Sequence, residues 1–229
     1  MKGSAMSQQK EEFVLNVAAC DACGETPRKY FVHSVKAVPD WNTIPVAPLD
    51  CCAWGGSYRV YGQAQLVLLR DVGFVCRLQC EEQAPVARYQ TYFSPVYQDS
   101  CMEFFCAFDQ NSEKYLNVEM NAKGTCLCEI GTNRNDRVDA SENGTVPPVK
   151  VAPFVQCTSW SLLLTVPFVT LTRLFGVTQQ TFVPGYQFRG NFYKCGDAST
   201  ATHYTMWNPV RTPTPDFHQP SFFGTFVMQ

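Results

Sequence analysis

Between residues 115 and 121, Leu116, Val118 and Met120 alternate with Tyr115, Asn117, Glu119 and Asn121. A period of two places these sets on opposite faces of a strand. Residues 101–108, dense in Phe and Cys, read as the strand before it, and residues 125–130 as the strand after, with Cys126, Cys128 and Ile130 on one face. Asp109, Gln110, Asn111 and Ser112 form the first turn, since such side chains bond their own backbone. Ala122-Lys123-Gly124 forms the second. Asn and Glu are poor strand formers, so the polar line marks either a solvated sheet face or a concave face that hydrogen-bonds a polar ligand.

The rest of the chain repeats this pattern. Residues 63–69 and 74–81 around Asp71-Val72-Gly73 predict a β-hairpin. Further strands are expected at 13–17, 30–35, 149–155, 159–166, 187–195, 204–207 and 222–228, with 89–93 as a short edge. Residues 168–174 predict a helix ended by Gly176. On the strand at 187–195, Arg189, Asn191 and Tyr193 share a face. Residues 131–148 form a polar loop whose length points to function or mobility. Many short strands and almost no helical period predict an all-β protein, an antiparallel β-sandwich.

The 229 residues suit one domain, expected over 13–229 after a tag-like segment at 1–12. A net charge of −2 shows no basic surplus for nucleic acid, and no run is long enough to span a membrane. The first twelve residues lack an apolar signal region, which predicts a cytoplasmic protein, or a secreted one if a signal was trimmed. Of twelve cysteines, Cys76, Cys80, Cys101, Cys106, Cys126 and Cys128 fall in apolar strand patterns, so reduced thiols are expected. Cys20 and Cys23 form a lone CxxC without a matching second pair, which predicts no metal site. Trp54 and Trp160 read as core.

Several separated motifs resemble one family: Asp99-Ser100-Cys101-Met102-Glu103-Phe104-Phe105, residues 115–125, Gly190-Asn191-Phe192-Tyr193-Lys194-Cys195, and Pro215-Asp216-Phe217-His218-Gln219-Pro220 with Phe223-Gly224. They resemble, in order from about Trp41 onward, the bacterial carbohydrate-binding family 9-like proteins, relatives of the family 9 modules of xylanases. The resemblance implies a DOMON-like sandwich and non-catalytic carbohydrate binding, with a sugar held between two aromatic rings. Carried over, the rings fall on Tyr97 and Phe217, and the polar positions on Asn117, Glu119 and Lys194. None is an identity. Asn121, Arg189, His218 and Trp207 complete the expected carbohydrate-binding set. A separate glycoside hydrolase is an expected partner, and nucleic acid and membrane are not.

Other readings stay open. The chain is alternatively a scaffold that has lost its sugar. A haem binder would need axial ligands such as Met102, Met120 or His203. A hydrolase would need paired carboxylates from Asp99, Glu103 and Glu119. On an extended strand Asp99 and Glu103 lie about 13 Å apart, leaving only Glu119 to approach one of them across the sheet. No cofactor is expected beyond a structural calcium, for which Asp109, Asn111 and Glu113 offer oxygens.

Overall fold

A computed structural model describes residues 24, 26–54, 58–199 and 201–229. The segment 1–12 and the strand expected at 13–17 lie outside these residues. Thirteen strands and one helix are present among them: β1 (Lys29–Val35), β2 (Ala47–Leu49), β3 (Gly62–Leu69), β4 (Gly73–Cys80), β5 (Cys101–Ala107), β6 (Tyr115–Asn121), β7 (Cys126–Gly131), β8 (Val138–Asp139), β9 (Lys150–Val155), β10 (Trp160–Pro167), α1 (Phe168–Phe175), β11 (Gln187–Cys195), β12 (Tyr204–Met206) and β13 (Gly224–Met228). Residues 89–93 form turns rather than an edge strand. α1 ends where Gly176 adopts φ +71°, a left-handed cap that a side chain would strain.

The strand order is β8-β7-β6-β5-β11-β13-β1-β3-β4-β10-β9, with β12 on β11 and β2 on β3. β1 joins two layers. Its first half pairs with β13 and its second half with β3, both in parallel. All other strand pairings are antiparallel. The parallel pairs depart from the expected all-antiparallel sheet. No hairpin links β1 to either neighbour, so nothing constrains it to run against them.

The fold at β1 makes a sandwich. One layer's inner face carries Met102, Phe104 and Cys106 of β5, Leu116, Val118 and Met120 of β6, and Phe188 and Phe192 of β11. Phe74, Cys76 and Leu78 of β4 and Trp160, Leu162 and Leu164 of β10 meet them from the other layer. Trp207 stacks on Phe226 at 5.4 Å and meets Tyr30 edge-on. Each such ring contributes about 1.5–3 kcal/mol when buried.

Cys76, Cys80, Cys106, Cys126 and Cys128 sit in this core as buried free thiols. Cys51, however, is disulfide-bonded, so the expectation of reduced thiols throughout does not hold. Periodicity marks a cysteine as buried but does not tell which thiol meets another.

Candidate functional site

The face of β5, β6, β7 and β11 turned away from the sandwich core is covered by a second, smaller cluster. Cys101 and Phe105, Tyr115, Leu127, and Tyr193 and Cys195 point out from the sheet, and Trp54, Phe217 and Phe223 pack over them. The cover is incomplete, and a cleft of about 550 Å³ opens onto the sheet.

Glu103, Glu119, Glu129, Cys195 and Leu127 line the cleft from the strands. Trp54, Tyr97, Tyr204, Phe217 and His218 line it from the covering segments, as do Arg134, Arg137, Asp197 and Asp216. Phe217 is stacked face to face on Tyr193 at 4.1 Å and tilts against Trp54 at 5.6 Å. These supports fix the Phe217 ring. Tyr97, at 38%, and Phe93, at 39%, are the exposed aromatics of the cleft.

The floor is charged and buried. Register places Glu103 of β5 directly opposite Glu119 of β6, and both are almost wholly buried. Burial pushes the Glu119 pKa up to about 7; Arg137, 3.8 Å away, counteracts this in part, and Glu129 adds to it. Burial raises Glu103 well above the usual carboxylate range, and Cys195 and Glu119 add to the shift. Arg137 is ion-paired with Glu129, and Arg134 with Asp216 at 3.1 Å.

His218 lies over this floor, with Nδ1 3.1 Å from the Tyr115 hydroxyl and Nε2 3.9 Å from Glu119. Burial, with Arg137 and Arg134 nearby, lowers its pKa to about 3, so its ring is neutral. Asp216 holds the segment in place by accepting from the His218 amide at 3.0 Å and from Gln219 at 2.6 Å.

Asn117 donates to Glu119 Oε1 at 3.0 Å. Asn117 Oδ1 and Glu119 Oε2 are then two buried acceptors with no hydrogen-bond partner among the described residues. A buried polar atom left so costs about 1–3 kcal/mol.

The fold gathers some of the sequence-selected residues and separates others. Tyr97, Glu119, Phe217 and His218 line the cleft, and Asn117 lies buried beside Glu119. Asn121 shares their sheet face but is consumed locally: it donates to Asp99 and the Tyr89 carbonyl and accepts from the Lys123 and Thr125 amides. Arg189 is exposed and reaches the Pro220 carbonyl, outside the cleft.

Lys194 points into the sandwich. It pairs with Glu82 at 3.2 Å and lies 5.7 Å from the Trp160 ring. On β11 an even number cannot share a face with Asn191 and Tyr193. Trp207 belongs to the same inner core. Conversely, Trp54, read as core, lines the cleft with its Nε1 donating to the Thr212 carbonyl at 2.6 Å. Arg134 and Arg137 come from the polar loop at 131–148, whose length was their only signal. Asp197 carried none, because a loop brings it in, whereas Tyr204 begins β12 and Asp216 lies in the 215–220 motif without having been singled out for the site.

In the turn considered for calcium, Asp109 Oδ1 accepts from the Asn111 amide at 2.9 Å and so caps its own hairpin.

Comparison with known proteins gives one consistent answer. The sequence profile of carbohydrate-binding family 9 matches residues 33–228. No curated protein matches the chain. Among solved structures, a Bacteroides uniformis protein to which carbohydrate binding is provisionally ascribed superposes with a TM-score of 0.77 at 24% identity, over 89% of this chain and 100% of that one. A family 9 carbohydrate-binding module from Caldicellulosiruptor kristjanssonii in complex with glucose gives 0.62 at 12% identity, over 88% and 96%. The same organism's module with cellotriose gives 0.61 at 12% identity, over 88% and 94%. At these identities the likeness is one of fold.

Proposed function

Because the chain belongs to carbohydrate-binding family 9, we propose that its cleft binds the end of a mono- or oligosaccharide without cleaving it. The observation that carries this reading is the pair of unpartnered buried acceptors, Asn117 Oδ1 and Glu119 Oε2, beside a cleft walled by aromatic rings. A sugar offers what this arrangement lacks: hydroxyl donors for the acceptors and a C–H face for the rings. Tyr97 and the braced Phe217 serve as the apolar surfaces. Glu119 accepts hydroxyl protons, and Arg134 and Arg137 donate to ring or hydroxyl oxygens. The volume of about 550 Å³ lies in the ordinary range for a small-molecule site.

Catalysis is not part of this reading, since the family is one of non-catalytic binding. Glu103 and Glu119 also stand side by side on one sheet floor. Glycoside hydrolysis needs two carboxylates flanking the scissile bond.

Trp54 in the cleft wall provides the test. Its fluorescence, titrated with mono- and disaccharides including uronic and amino sugars, is expected to change saturably with at least one of them. Tyr97→Ala should weaken the affinity about fivefold, in keeping with an aromatic contact of roughly 1 kcal/mol. A folded protein that responds to no sugar, by fluorescence or calorimetry, would overturn the reading and leave a sandwich used as a scaffold.

A further inference from the structure

The geometry points to a metal site at the bottom of the same cleft: Cys101, Glu103 and Cys195 bind one divalent cation of the zinc class. Cys101 and Glu103 are two residues apart on β5 and project to the same side. Cys195 of β11 is the register partner of Cys101. The ligand atoms of all three lie within 4.8 Å of one another, and Cys195 Sγ is already 3.0 Å from Glu103 Oε1.

Bonds of about 2.0–2.3 Å put the ligands of a tetrahedral zinc roughly 3.5–3.8 Å apart. The widest separation contracts by at most about 1 Å and the Cys195–Glu103 pair opens by about 0.5 Å, both within reach of side-chain rotation.

The donor chemistry selects the metal. Two sulfurs and one carboxylate oxygen suit zinc, whereas calcium and magnesium take oxygen ligands. All three residues are buried, which favours neutralisation of Glu103 by a bound cation. Lys194 does not serve that role, because it is paired with Glu82 inside the sandwich. Glu103 and Cys195 line the cleft, so the cation has a route in and a fourth coordination position facing it. Such a three-ligand site keeps one exchangeable position for water or a ligand oxygen. The thiol protons leave to solvent as the metal enters. This inference stands on the ligand geometry and does not depend on which molecule fills the cleft.

The full chain, thiol-reduced and kept free of oxygen, is titrated with cobalt(II) and then with zinc. One equivalent of cobalt should produce a thiolate-to-metal charge-transfer absorption that zinc abolishes. Cys101→Ser and Cys195→Ser should lose it, Glu103→Gln should weaken cobalt binding at least tenfold, and Cys157→Ser, at an exposed position, should leave it unchanged. If a cysteine variant misfolds by circular dichroism, alkylation of the wild type mapped by mass spectrometry replaces it, and zinc should then protect Cys195. The proposal is overturned by a folded, reduced protein without the absorption, or by an absorption undiminished in folded Cys195→Ser. It is also overturned by labelling of Cys195 unaffected by zinc, or by peptide maps of the purified protein showing a Cys101–Cys195 disulfide.

Discussion

Glu119 is where burial and charge oppose each other. Burial raises its pKa to about 7, although Arg137 pulls it down. An ionised carboxylate accepts hydroxyl protons better than a carboxylic acid, so sugar affinity should rise from pH 6 to pH 8. Calorimetry at three pH values checks this, and Glu119→Gln should flatten the profile and weaken binding about tenfold or more. The sign for stability is the reverse. Between the ordinary 4.5 and about 7 the folded protein keeps a proton that the unfolded chain has released. The Glu119 contribution therefore falls as pH rises through that window. At pH 8 Glu119→Gln should leave Tm unchanged or higher; a large fall would instead make Glu119 a structural ion-pair partner. Lys194 behaves oppositely. Burial pushes the Glu82 pKa up, but Lys194, with bonds from Ser100 and Trp160, outweighs it and holds that carboxyl below its usual range. Lys194→Met leaves Glu82 buried without its cation and should cost about 3–5 kcal/mol in urea unfolding. Sugar affinity of the folded fraction should not change.

At the scale of the strand, β5, β6 and β11 each present one parity to the core and the other to the cleft. Glu103, Glu119 and Cys195 meet for that reason. Such parity was legible in residues 115–121, and it also excludes Lys194 from the cleft. β11 crosses the core tightly at Gly190. A Cβ there would lie 2.4 Å from the Phe105 carbonyl and 2.6 Å from the Phe226 ring. Gly190→Ala should therefore destabilise the protein by about 1–3 kcal/mol, measured by thermal or urea unfolding. The hairpin at Asp71–Gly73, the cap at Gly176 and most strands, to within two residues, follow from local chemistry, whereas β2 and β8 are too short to show a period. Residues 89–93 did not follow, because an apolar-looking stretch without a paired neighbour has nothing to make it a strand.

Across the whole molecule, the core and the cleft proposed for recognition occupy opposite faces of one layer. Trp207 belongs to the inner face, packed on Phe226, Phe192 and Tyr30. Trp207→Ala should cost about 3–5 kcal/mol by urea unfolding, while the sugar Kd of the folded protein stays within about twofold, since Trp207 touches no part of the cleft. The separation also explains what could be read in advance. Alternation, turn residues and separated motifs were enough for a β-sandwich of carbohydrate-binding family 9 and for the polar face that holds Asn117 and Glu119. Strand periodicity is local, and a motif keeps its meaning wherever the chain folds. The cleft walls are different. Trp54, Arg134 and Arg137 lie on segments with no period, far apart in sequence, and only packing of those segments over the sheet brings them together. Face-to-face register likewise set Glu103 against Glu119 and Cys101 against Cys195, because the pairing of one strand with another is a property of the sheet and of no single stretch of chain.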